Sequence, residues 1–200
     1  SGAVDRITEE GLLSLQERKT TVVWMFDQSA SLLRQREEIQ NRFERIYHEL
    51  GVLKASGDES FSKHDDRPLL TQVWAFGQTI NPMLENETDD PELIQQSIGK
   101  IPRDETGVEN VFSTVLKGVD VYRKYRRINR STGERDRNIM FIVVSDEAGD
   151  DSTRLDDSVE ACTKYEIPVY VIGVPAPFGR DKTYVKWVDP DPKYDQTPQF

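Results

Sequence analysis

The sequence has a single cysteine, Cys162, and only two histidines, His48 and His64. One thiol cannot close an internal disulfide, and it excludes a cysteine-based zinc site. The histidines stand in polar settings without a cysteine or second histidine at ligand spacing, so neither is a poised general base. The G-x-S-x-G turn that presents a serine nucleophile is also missing, which removes a Ser/His/Asp hydrolase from the expectations. No apolar run approaches the ~18 to 20 residues of a membrane-spanning helix. No basic-then-apolar leader with a cleavage site opens the chain either. It starts Ser1-Gly2-Ala3 without a methionine, which reads as a piece of a longer protein. Positive charge is in deficit, 26 Lys+Arg against 36 Asp+Glu, for a net charge of −10. That balance repels phosphates and argues against a general nucleic-acid binder. Partner, compartment and oligomeric state are not legible in it.

What is present is an alternation of apolar runs and amphipathic stretches. Val4, Ile7, Leu12 and Leu15 fall at helical spacing, predicting a lead-in helix over 4–18 that is interrupted or capped near Gly11. A strand is expected from Thr20 to Phe26. A helix from Ser31 to Leu50 follows, ending before Gly51, then a polar loop over 54–67. Leu70 to Phe76 reads as a second strand, and Ile80 to Leu84 as a short hairpin partner. Asp89-Asp90-Pro91 opens a short helix to about Ile98. Further helices are expected from Glu109 to Arg126 and from Thr153 to Lys164, with strands at Ile139–Val144 and Pro168–Val174. Beyond Pro175 a loop is expected, with one strand at Thr183–Val188. The 200 residues are long enough for one core. The alternation predicts an α/β fold: a Rossmann-like, doubly wound three-layer sandwich with a mostly parallel central sheet and one short antiparallel strand. Residues 1–19 form its lead-in, 20–188 the domain and 189–200 a tail.

In such a fold the carboxyl ends of the parallel strands share one edge, where ligands bind. The first apolar run stops there at Asp27, followed by Ser29 and Ser31 in a D-x-S-x-S pattern. The most apolar strand stops at Ser145-Asp146. Thr106 lies in the loop that opens the long helix expected from Glu109 and can reach the same edge. Two carboxylates and three hydroxyls make an all-oxygen set suited to a hard divalent cation: magnesium first, then manganese or calcium. Such a set keeps positive charge on the ion, which can then accept an acid from a partner.

These three segments resemble the von Willebrand factor A domain family and its metal-ion-dependent adhesion site. Asp27, Ser29 and Ser31 match its first part, Thr106 in DETGVEN its second, and Asp146 in IVVSDEAGD its third. The resemblance covers about residues 20 to 175. It implies a metal site made by Asp27, Ser29, Ser31, Thr106 and Asp146, completed by an Asp or Glu of a protein partner. The chain departs from the pattern at Val108, where a second threonine often stands, and at Glu147, where glycine usually follows the last aspartate. The family's closing helix cannot be located in the sequence after Pro175.

Taken alone, Asp27 and Ser31 also fit helix caps. Asp104, Glu105, Glu109, Glu147, Asp150 and Asp151 read as solvated rim acids, with a second cation site as the alternative for one of them. Arg123 to Arg127 reads as an exposed helix end or a docking patch. Trp24, Trp74 and Cys162 are expected in the core. The leading expectation is a protein-binding module and not an enzyme. Its rivals are a magnesium-dependent phosphotransferase or phosphatase using Asp27, and a scaffold with a purely structural metal. Haloacid-dehalogenase-like enzymes want a second acid two residues after the first, where this chain has Ser29.

Overall fold

The computed structural model describes residues 2–55, 68–173 and 193. Five strands form one sheet: β1 (Thr20–Asp27), β2 (Leu69–Phe76), β3 (Ile80–Pro82), β4 (Asn138–Ser145) and β5 (Val169–Gly173). Their order is β3-β2-β1-β4-β5, with β3 antiparallel to β2 and every other pairing parallel. The helices are α1 (Gly2–Glu17), α2 (Leu33–Ala55), α3 (Pro91–Gly99), α4 (Val111–Tyr122) and α5 (Leu155–Tyr165). This is the expected α/β sandwich.

Strand β1 explains why the sheet is covered twice. Every residue from Thr20 to Asp27 is buried, so side chains alternating across the pleat need an apolar partner on both faces. Val22, Trp24 and Phe26 pack with Ile39 and Phe43 of α2 and with Ile94 and Ile98 of α3. Val23 and Met25 point the other way, into Val115, Val119 and Tyr122 of α4 and Cys162 of α5. Trp24, Trp74 and Cys162 are core residues as expected, and burial pushes the Cys162 thiol up to about 11. No described helix is long and apolar enough to cross a membrane.

Several boundaries depart from the sequence expectations. Helix α1 runs through Gly11 without a break, and α2 runs through Gly51 to Ala55. An interior glycine costs a helix about 1 kcal/mol relative to alanine, which the flanking turns can absorb. Ala30–Leu32 is a separate 3-10 turn before α2. Helix α4 begins at Val111 and gives way to a 3-10 turn at Arg123–Arg126. The run Arg123–Arg127 does close the helix, with Lys124 and Arg127 exposed as expected, and Arg126 is the exception. Arg126 is buried, donating to Asn138 Oδ1 (2.6 Å) and the Tyr165 carbonyl (3.0 Å). It thus ties the amino end of β4 to the end of α5. The strand expected at Thr183–Val188, the loop after Pro175, most of the 54–67 loop and His64 lie outside the described residues.

Two helix glycines should respond oppositely to the same substitution. A Cβ on Gly11 would meet nothing within 4 Å, whereas one on Gly118 of α4 would lie 2.7 Å from Met25 Cε and 2.9 Å from Phe141 Cζ. Gly11→Ala should therefore raise stability by roughly 1 kcal/mol through helix propensity. Gly118→Ala should lower it by about 1–3 kcal/mol through overpacking against the sheet. Urea denaturation of the two variants measures both; shifts of the same sign would contradict the packing described for one of them.

Candidate metal centre

The chain goes from β1 to β2 and β3 on one side of the sheet, then crosses to β4 on the other. The strand order therefore reverses at the β1–β4 boundary, where an open α/β sheet leaves a crevice beyond its carboxyl ends. Register fixes what stands there. Phe26 pairs with Val144, and Asp27 pairs with Phe76. Asp27 and the Ser145-Asp146 step consequently leave the sheet side by side.

Asp27 is 1 % exposed and both of its carboxylate oxygens are engaged. Oδ1 accepts from the Ser29 backbone N–H (2.7 Å) and Oδ2 from the Ser145 hydroxyl (2.9 Å). The first bond is the local turn that the capping alternative anticipates; the second reaches across strands. Ser29 precedes the 3-10 turn without a side-chain cap bond, and its hydroxyl lies 2.9 Å from that of Ser31. The two hydroxyls of the D-x-S-x-S pattern are thus adjacent.

The loop over residues 101–110 closes the crevice from the side. The Asp104 N–H donates to the Gln28 carbonyl (3.0 Å), and Asp104 bridges Ser29 in parallel fashion. Its carboxylate accepts from the backbone N–H groups of Gln78 and Thr106, which hold it below the usual carboxylate range. Thr106 itself is exposed, and its Oγ1 accepts from the Val108 N–H (3.3 Å). Glu109 is different. It is 5 % exposed, and one of its carboxylate oxygens lies with those of Asp27 and Asp146 in a group whose members are all within 4.8 Å of one another.

The sequence places Glu109 among the rim acids, with a second cation site as the alternative for one of them; the structure instead buries it with Asp27 and Asp146. The backbone holds it in place from both sides: its N–H donates to Asp150 Oδ2 (2.9 Å) and its carbonyl accepts from the Asp150 N–H (2.8 Å). Asp151 accepts from Phe112 and Ser113, supplying the cap that Asn110 does not give α4. Asp150 is exposed and Asp151 half-buried, as expected of rim acids, and both also hold the loop and helix in place. Gly149 permits this close approach: it has φ +86°, and a Cβ there would meet Val111 Cβ at 2.9 Å. The available signal was an acid directly before an apolar helix, in a loop already expected at the site edge.

The cluster is electrostatically uncomfortable. Glu109 Oε2 and Asp146 Oδ1 are buried and have no hydrogen-bond partner among the described residues. Burial first, and then the negative charges of Asp27, Glu147 and Asp146, push the Glu109 carboxyl up to about 8. An all-oxygen pocket with unpartnered buried carboxylate oxygens has the donor chemistry that a hard divalent cation takes. Its three carboxylate oxygens, all within 4.8 Å of one another, are spaced so that one ion could touch them all.

No protein-family model matches this chain, and no curated relative matches it. Among solved structures it is similar to the vWF domain of the type V pili tip protein Mfa5 from Porphyromonas gingivalis. That match has 12% identity and a TM-score of 0.42, covering 65% of this chain and 38% of that one. The structure of three N-terminal domains of the same protein matches at 13% identity and a TM-score of 0.38, over 64% of this chain and 20% of that one. This chain therefore spans well under half of either. Likeness at that level goes no further than the fold, and the chemistry of the site rests on its own residues.

The Glu109 carboxyl makes metal-free stability depend on pH. An unfolded chain releases that proton near the ordinary glutamate value of about 4.3, whereas the folded chain keeps it to about 8. Between these values the native state binds more protons, so stability falls as pH rises through the window. In EDTA, the melting temperature of wild type should fall more steeply between pH 5 and pH 8 than that of Glu109→Gln. Parallel slopes would remove Glu109 from the cluster.

Proposed function

We propose that this chain is a divalent-cation-dependent protein-binding module. Asp27, Glu109 and Asp146 provide carboxylates to magnesium or manganese, and Ser29 and Ser31 provide hydroxyls. Glu109, rather than Thr106, is the contribution of the 101–110 loop. The observation that carries this reading is the pair of buried, unpartnered oxygens, Glu109 Oε2 and Asp146 Oδ1, grouped with Asp27. A buried carboxylate without a hydrogen bond or counter-charge is costly. Without metal the Glu109 carboxyl meets that cost by keeping its proton; a cation would take the proton's place.

The third carboxylate changes how a partner is recognised. Two carboxylates would balance a dication, but three leave the occupied cluster at net −1. An Asp or Glu of the partner is then favoured by direct coordination at the ion and not by long-range attraction. Complementary shape around the site must supply much of the affinity. Asp27 as a phosphoryl acceptor is the weaker reading, because at 1 % exposure it is open to a small ion but not to a phosphate ester.

Magnesium or manganese should stabilise the fold by mass action, by about 2.7 kcal/mol at a free concentration one hundred times Kd. Melting curves against metal concentration test this for wild type and Asp146→Ala. Equal shifts in the two proteins would refute the site.

Partner capture should vanish in EDTA, return with manganese, and be lost in Ser29→Ala/Ser31→Ala while circular dichroism stays unchanged. Retention of the same partner in EDTA would make the metal purely structural. It would also move recognition to another surface.

A further inference from the structure

Arg36 is a buried charge for which the proposed cation site has so far had no use. It lies in the first turns of α2 and is 4 % exposed. Its side chain folds back beneath the D-x-S-x-S segment. There a single nitrogen, Nη1, donates to the Asp27 carbonyl (2.6 Å) and to the Ser29 carbonyl (3.3 Å). The intervening Gln28 carbonyl accepts from the Asp104 N–H (3.0 Å), and the Gln28 N–H donates to the Phe76 carbonyl (2.8 Å). All three carbonyls from 27 to 29 are therefore held, two of them by Arg36. Backbone groups with fixed partners fix the direction of the side chains between them.

The cost of this arrangement points the same way. Burial pulls the Arg36 guanidinium down, and the Asp27 charge only partly opposes this. A cation taken out of water usually pairs with a carboxylate; the hydrogen bonds of Arg36 go to backbone oxygens instead.

We propose that Arg36 is a positioning residue of the cation site: it sets the backbone of residues 27–29 so that the Asp27 carboxylate and the Ser29 and Ser31 hydroxyls face Glu109 and Asp146. This rests on the cation-binding reading above. Two effects of removing Arg36 oppose each other. Loss of a positive charge would by itself strengthen cation binding, whereas loss of the clamp would scatter the ligands. The guanidinium sits on the carbonyl side of Asp27, and the charges acting on Glu109 are the acids Asp27, Glu147 and Asp146. Because the guanidinium bonds to the Asp27 carbonyl and not to its carboxylate, the expected net effect is that of the clamp.

The test is the Kd for Mn2+, read from the electron paramagnetic resonance signal of the free ion, well below the melting temperature of each protein. Arg36→Met should bind Mn2+ roughly tenfold to a hundredfold more weakly, the range found for residues that orient metal ligands. Arg36→Lys keeps a nitrogen that can donate to both carbonyls, and should stay within about threefold of wild type on the same scale. Should Arg36→Met not fold, Arg36→Gln, which has an N–H donor but less reach, carries the same expectation. An unchanged Kd beside a lowered metal-free melting temperature would make Arg36 a staple and overturn the proposal. Tighter binding would overturn it as well, leaving only the charge. No Mn2+ binding by wild type would instead bring down the cation site itself, and this inference with it.

Discussion

Because β1 and β4 run in parallel, from Thr20 against Asn138 to Phe26 against Val144, their polar exits leave the sheet at the same height. Seven consecutive register positions cannot slip by one residue without turning every buried side chain to the opposite face. The two-core packing of the sheet, with Trp24 and Phe26 on one side and Val23 and Met25 on the other, therefore also fixes where Asp27 and Asp146 meet. The hydrophobic effect, acting through the pleat, places two like charges together that would otherwise separate.

The surrounding elements hold the arrangement against that repulsion. Ser145 donates to Asp27, Arg36 grips the backbone behind it, and Asp150 clasps Glu109 at both its N–H and its carbonyl. Each of these groups is spent on holding acids where they are least comfortable. Local conflict of this kind, maintained by well-satisfied neighbours, marks a site more often than a defect. The elevated Glu109 carboxyl is a symptom of that conflict, with burial as its first cause.

Where the sequence reading failed, it failed by treating polarity as exposure. Glu109 is buried in the cluster and Arg126 closes the amino end of the sheet, while the exposed Asp150 and half-buried Asp151 still accept from backbone N–H groups of the loop and of α4. In each case the residue's partner lies far along the chain: 41 positions for Glu109 and Asp150, and 39 for Arg126 and Tyr165. No local pattern encodes such a pairing. The helix breaks expected near Gly11 and at Gly51 failed for a related reason: propensity is a small local term, and turns on either side outweigh it.

Period and punctuation in the sequence by themselves determined the layered α/β architecture, the order of strands and helices, and the placement of Asp27 and Asp146 at strand ends. Those properties depend on local burial, which alternation and apolar runs record directly. Which loop residue joins the two aspartates was decided only by the tertiary structure. Thr106 and Glu109 are three residues apart in a loop without periodicity, and either could face the crevice. The choice was made by Gly149 lying against Val111 and by the grip of Asp150 on the Glu109 backbone, contacts between segments that meet only once the sheet has formed.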